Sequence, residues 1–185
     1  MTIPAGTYRL GPADGTLSVR TKRTGAAAKA GHNLLLHVTA WEATLAIADD
    51  PAASRLELTA DGASLRVIEG TGGMQALGDD DKANIAQTID DEVLKTQSVV
   101  FRSRAVRTGA DGAGLAVEGD LSLLGATRPL AFDVAVGADG VLSCIAVVKQ
   151  TSFGMKPYSA LFGTLKVVDE VEVSLDARLP QPQSL

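Results

Sequence analysis

The stretch from Val99 to Val136 constrains the fold more than any other, because it carries three successive period-two runs separated only by turn signals. In the first run Val99, Phe101, Ser103 and Ala105 alternate with Val100, Arg102, Arg104 and Val106. In the second, Val117, Gly119, Leu121 and Leu123 alternate with Glu118, Asp120, Ser122 and Leu124. In the third, Leu130, Phe132, Val134 and Val136 alternate with Ala131, Asp133 and Ala135. Successive side chains of a strand point to opposite faces, so each run has an apolar face and a mixed or polar one. Gly109–Gly114 and Leu124–Pro129 supply the turns, and strands joined by connections this short pair antiparallel. The stretch reads as a β-meander, and nothing in it reads as catalytic.

The flanking chain continues in the same idiom. Gly6–Leu10 and Thr16–Arg23 read as strands around a turn at Pro12–Gly15, while the small-residue run Thr24–Gly31 fits a loop or a short helical turn equally well. Leu34–Ala48 is a long strand that puts His37, Trp41, Ala43, Leu45 and Ile47 on one face and Glu42 and Thr44 on the other. Its apolar triplet Leu34–Leu36 suits neither face and calls for a bulge. Ser54–Ile68 is a second long β segment, broken at Asp61-Gly62. Glu69–Gly78 holds a Gly-x-Gly-Gly core without the Gly-Lys-Ser/Thr ending of a phosphate loop or the spacing of a dinucleotide fingerprint, so it is read as a flexible loop.

Asp79–Leu94 is the one helix. Asp79, Asp80 and Asp81 provide an N-cap and favourable negative charge in the first turn. Ile85, Ile89 and Val93 then recur at four-residue spacing on one face. Read as a metal site, the aspartate cluster lacks any histidine or cysteine nearby, and no metal is expected. Val141–Thr151 is nearly apolar on both faces, the pattern of a strand covered on both sides. Ser152–Thr164 breaks the periodicity and carries Phe153, Met155, Tyr158 and Phe162 in a loop. Val167–Leu179 is the closing strand, with Val171, Val173 and Leu175 opposed to Glu170, Glu172 and Asp176. The expected organisation is one domain over residues 1–180 and a loose tail at 181–185. One helix among some eight or more strands makes an all-β antiparallel barrel or sandwich, and a barrel removes the exposed edges that long strands otherwise present.

Charge and cysteine content narrow the function classes. A net charge of -5 and a pI near 5.0 argue against nucleic acid or an anionic membrane as the main partner, since both require a basic face. Cys144 is the single cysteine, so no intramolecular disulfide forms, and its apolar surroundings suit a buried inert thiol. MTIPAGTYRL lacks the basic-then-apolar order of a secretory signal, and no run approaches the roughly 20 apolar residues of a membrane span. The expectation is a cytoplasmic protein with no stable membrane insertion.

Three blocks in order resemble the YceI-like family of lipid- or polyisoprenoid-binding proteins. The first is Asp81-Lys82 through Ile85 and Ile89–Leu94 to Val100-Phe101-Arg102-Ser103. The second, Val117–Pro129, is similar to the family's G-x-L-x-x-x-G-x-T-R-P hairpin. The third is Ser152-Phe153-Gly154-Met155 before a final acidic and apolar strand. The resemblance departs at Gln150, where the family often has arginine before its Phe-Gly pair, and in the missing signal peptide that many members carry. It implies an extended eight-stranded antiparallel lipocalin-like barrel whose apolar interior holds an isoprenoid, quinone or fatty-acid-like chain, without catalysis or cofactor. A homodimer stays open.

A ligand in such a barrel needs room. Aromatic residues are only 4% of the chain, and the inward candidates Ala43, Ser103, Ala105 and Gly119 are small. The expected ligand contacts are Trp41, Phe101, Val117, Leu121, Phe132, Val134 and Val173, with Phe153, Met155 and Phe162 near a mouth or lid. Two other readings remain at this level. One is a small hydrolase or isomerase using His32 or His37, with Ser103 or Ser152 as partner. The other is a stress-related structural module with a filled barrel. Arg102, Arg104, Arg107 and Arg128 are either a headgroup patch or ordinary solvated strand faces.

Overall fold

The computed structural model describes residues 3–109, 114–137 and 139–180. Its first half contributes β1 (Gly6–Leu10), β2 (Gly15–Thr21), β3 (Arg23–Thr24), β4 (His32–Val38), β5 (Trp41–Ile47), β6 (Arg55–Asp61) and β7 (Leu65–Gly72). After the helix α1 (Asp79–Thr88) come β8 (Ser98–Thr108), β9 (Leu115–Leu123), β10 (Ala126–Val136) and β11 (Val141–Lys149). The short β12 (Ser159–Ala160) and β13 (Leu165–Val167) precede the closing β14 (Glu170–Arg178). Eleven strands form one antiparallel sheet in the order β1-β5-β6-β8-β9-β10-β11-β14-β2-β4-β7, and β12-β13-β3 form a second, small one.

Eleven strands stand in this sheet where the family resemblance implies eight, and the difference lies at three corners. β1 and β2 are separated only by Gly11–Asp14, β4 and β5 by Thr39–Ala40, and β6 and β7 by Gly62–Ser64. Hydrogen bonding crosses these corners: Thr39 N–H donates to Ser64 O at 3.2 Å and Asp61 N–H to Ala40 O at 2.9 Å. The buried Ser64 hydroxyl accepts from Ala40 N–H at 3.0 Å. Each pair is therefore one long strand that bends. β4, before its corner, pairs with β2 and β7, while β5, past it, pairs with β1 and β6. Followed through the corners, the ribbon closes, because β14 pairs with β2 and β8 pairs with β6. The architecture is an all-β barrel of eight long, partly bent strands. Closure satisfies the backbone groups that an open sheet would expose.

Local irregularities shift several predicted faces. The expected bulge in the Leu34–Leu36 triplet is present between Leu35 and Leu36 in the β4–β7 pairing. A second irregularity in β8, between Ser103 and Ala105, was not legible, and one extra residue reverses the inward phase. Val106, assigned to the outer face by alternation, is consequently 1% exposed, while the expected inward Ala105 is only half-buried. The Val141–Thr151 prediction also needs correction. Leu142, Ala146 and Val148 are buried, but Ile145 and Val147 on the other face are 61% and 52% exposed. That strand is covered on one side only.

The helix begins where predicted, with a different cap. Gly78 is the N-cap, and the Asp81 carboxylate reaches back to accept its N–H at 2.9 Å. The α-helix ends at Thr88 and widens into a π-turn over Ile89–Leu94, which stops at the left-handed Lys95. This segment packs against β7, whose outer edge has no strand partner among the described residues. Thr24–Gly31 contains a short helical turn at Ala28–Ala30. Residues 110–113 of the predicted Gly109–Gly114 turn and the predicted tail at 181–185 lie outside the described residues.

Candidate functional site

Inward side chains from the barrel strands, closed on one side by the helix and its π-turn, surround a cavity of about 580 Å³. That volume lies within the ~300–1,000 Å³ range of small-molecule sites. Its wall is hydrocarbon over most of its length: Leu17, Val19, Leu36, Val117, Leu121 and Val173 are typical, with Ala43, Ala60 and Ala146 leaving space between them. Ile85, Ile89 and Val93 form one side of the wall, so the apolar helix face read from the sequence looks into the cavity.

Seven of the ten expected contacts line this cavity: Phe101, Val117, Leu121, Phe132, Val134, Met155 and Val173. Phe101 and Phe132 pack on each other across β9 with ring centroids 5.2 Å apart and planes inclined by 55°. Gly119 makes this possible. A Cβ there would sit 2.6 Å from Phe101 Cζ and closer still to the Arg102 carbonyl. Its small size serves the aromatic pair rather than the cavity. Trp41 and Phe153 are buried, at 6% each, but belong to the packed core and do not line the cavity. Phe162 is fully exposed at 107%, and with Leu161 it holds a left-handed backbone. It does not touch the cavity.

Polar side chains interrupt the hydrocarbon wall, and Thr21, Arg23, His32 and Gln150 do so at one end of the barrel. Thr21, Arg23, His32, Asn84, Thr88 and Gln150 all line the cavity, and the sequence reading singled out only His32 and Gln150. Arg23 was read only as the end of the Thr16–Arg23 strand, whereas the structure ends β2 at Thr21 and puts Arg23 on the separate two-residue β3. The one carboxylate of the cavity wall among the described residues, Asp61, lies at the corner before β7, whereas His32 pairs with Gly72 at the last residue of that strand. Gln150 is buried and acts as a tie: Nε2 donates to Val168 O at 3.0 Å, and its backbone N–H donates to Asp169 O at 3.0 Å. Beside it the Asp169 carboxylate accepts from Thr151 Oγ1 at 2.6 Å and Thr151 N–H at 2.8 Å. The Thr151 hydroxyl, first, and its N–H hold the Asp169 pKa below the usual carboxylate range. Cys144 also lines the cavity, and burial pushes its thiol pKa up, which disfavours the nucleophilic thiolate.

The catalytic alternatives find little geometry. His32 Nε2 lies 2.7 Å from Gln75 O, and since a carbonyl only accepts, Nε2–H is the donor. His37 pairs in register with Ser18 and Arg66 and does not line the cavity. The Ser103 hydroxyl accepts from Leu56 N–H at 2.8 Å, and neither histidine is bonded to it or to Ser152. Among the described residues, no three His, Cys, Asp or Glu side chains converge as a metal site. The four arginines do not form a patch. Arg102, Arg104 and Arg107 are exposed and paired with Glu57, Asp120 and Glu118, and Arg128 donates to Ser152 O. No helix among the described residues is long and apolar enough to cross a membrane.

The model of the YceI-like domain family matches residues 8–179. No curated protein matches the sequence. Among solved structures, BcnA of Burkholderia cenocepacia aligns with a TM-score of 0.62 at 17% identity, covering 88% of this chain and 94% of its own. The Campylobacter jejuni YceI protein aligns at 0.55 and 14% identity, over 81% and 85% of the two chains. A polyisoprenoid-binding domain from Saccharophagus degradans, implicated in plant cell wall breakdown, aligns at 0.53 and 9% identity, over 96% and 100%. At these identities the structural likeness establishes the fold.

Proposed function

We propose that this chain, which belongs to the YceI-like family, binds and carries or sequesters a long apolar ligand of isoprenoid, quinone or fatty-acid type, without catalysing a reaction on it. The observation that carries this reading is the hydrocarbon-walled cavity of about 580 Å³ inside a closed barrel. The polyisoprenoid-binding domain of Saccharophagus degradans, which shares the fold, supports the isoprenoid class. Burial is worth about 0.8 kcal/mol per methylene, so roughly fifteen buried carbons contribute ~12 kcal/mol. With an association cost at the lower end of the ~4–15 kcal/mol range, micromolar affinity results without any charged partner. Phe101, Val117, Leu121, Phe132, Val134, Met155 and Val173 are the proposed contacts; Trp41 and Phe153 act by packing behind them.

Native mass spectrometry of freshly purified protein, followed by organic extraction, tests the reading. A stoichiometric adduct with the mass of a long-chain lipid or isoprenoid supports it and identifies the cargo. A ligand-free mass that stays unchanged after incubation with quinones, polyprenols and fatty acids overturns it.

A further inference from the structure

The polar end of the cavity has a chemistry that a simple hydrocarbon sleeve does not need. Arg23 lies on β3 with its side chain on the cavity wall, and its Nη1 donates to the Gly31 carbonyl. Its guanidinium is packed against Gly72, where a Cβ would lie 2.5 Å from Cζ. Gly73 stands in the same relation to the His32 ring, and both glycines are left-handed, at φ +77° and +76°. The backbone at the end of β7 is thus shaped to let a guanidinium and an imidazole sit against it.

At this end no carboxylate among the described residues pairs with Arg23. Among the described residues the ion pairs are Lys22–Glu172, Arg102–Glu57, Arg104–Asp120, Arg107–Glu118 and Arg178–Asp139, and Arg23 is in none of them. Lys166, on the strand that pairs with β3, also reaches the cavity wall and is likewise unpaired. Asp61, the acidic residue of the wall, has its carboxylate committed to Ala63 N–H at the far corner. Two residues before Arg23 stands Thr21, whose buried Oγ1 has no hydrogen-bond partner, and Asn84 adds a polar side chain to the same cavity wall, whereas the Thr88 hydroxyl is already committed to Asn84 O at 2.9 Å. A half-buried guanidinium uses one N–H on Gly31 and keeps others for an acceptor, and charge-assisted bonds of this kind are the strong ones.

We infer that this collar is an anion site, and that the ligand is a long apolar chain ending in a carboxylate or a phosphate, with its head on Arg23. The inference rests on the cavity being a chain-binding site, as proposed above. It adds a selection by head-group charge: acids and phosphates are held in preference to alcohols and quinones of the same length.

Matched probes decide it. Binding of palmitate and hexadecanol, and of geranylgeranyl phosphate and geranylgeraniol, is measured by calorimetry or fluorescent-lipid displacement on delipidated full-length protein. The wild type is expected to bind at least one anionic member about tenfold or more tightly than its alcohol, and which pair shows the gap separates carboxylate from phosphate. In Arg23→Gln the gap closes while alcohol affinity is retained, which also shows that the barrel is intact; Arg23→Lys restores part of the gap. Equal affinity for acid and alcohol in the wild type overturns the anion site but leaves the carrier reading standing. A gap unchanged in Arg23→Gln also overturns it. If neither chain type binds, the carrier reading itself has failed and the anion site falls with it.

Discussion

Whether the barrel interior is a working cavity or merely a core can be decided by adding atoms to it. Ala146 is the position of choice. It is 8% exposed, its side chain points inward between the exposed Ile145 and Val147, and it lines the cavity opposite Val173. Ala146→Leu adds three carbons. In a well-packed core such overpacking costs about 1–3 kcal/mol. Into empty space the same carbons gain roughly 2.4 kcal/mol of burial, less about 0.5–1 kcal/mol of lost rotamer freedom, for a net stabilisation near 1.5 kcal/mol. The two cases differ in sign. Urea denaturation of delipidated protein reads the difference as a midpoint shift at constant slope. The added side chain also takes the space of about three ligand methylenes, so affinity for a long chain should fall by up to roughly 50-fold. A variant destabilised by 1 kcal/mol or more with unchanged ligand affinity would refute the cavity argument.

Other positions give independent checks. Gly119→Ala forces a Cβ against Phe101 and the Arg102 carbonyl, and should destabilise by about 1–3 kcal/mol in the same denaturation assay. Cys144 is a single reporter thiol on the cavity wall with a raised pKa. Maleimide labelling should therefore be slow at pH 7, accelerate with rising pH, and slow further when a long-chain ligand is bound; equal rates with and without bound ligand would contradict placement of the thiol beside it. Asp169 has a lowered pKa from its bonds to Thr151, so its contribution to stability is present above the ordinary carboxylate range and lost as pH falls through the folded value. Asp169→Asn should consequently melt below wild type at pH 7, with the gap narrowing in acid. A gap independent of pH would sink the assignment.

How far the sequence reveals this protein follows from which interactions are periodic. Val117, Leu121 and Val134 were legible as wall residues because strict alternation survives through β9 and β10. Val106 was not, since a one-residue irregularity in β8 reverses the phase without leaving a glycine or proline to mark it. Trp41 was placed on the correct face, yet it follows directly on the Thr39–Ala40 corner and packs in the core rather than on the cavity wall. Facing inward and touching the cavity are different properties, and only the three-dimensional position of the void separates them. Phe162 shows the converse error. Its loop was identified by the loss of pattern, but no local rule tells an aromatic in a loop whether it folds over a mouth or stands in solvent.

The corners and the collar share one origin. Where β4 turns into β5 and β6 into β7, the long strands leave one set of partners for another, and the barrel gains length without losing closure. Bending at the Gly62–Ser64 corner leaves the outer edge of β7 without a strand partner among the described residues, and the helix packs against it, adding Asn84 to the cavity wall. The polar groups at the Arg23 end come from segments remote in sequence: Thr21 and Arg23, His32, and Gln150. None forms a motif with another, so sequence reading finds the hydrocarbon tube and misses its charged end. If the head-group test succeeds, specificity in this protein resides in the part of the site where periodicity stops, while the periodic strands supply the affinity. The two can then be altered separately: Ala146→Leu should weaken acids and alcohols alike, and Arg23→Gln should weaken acids alone.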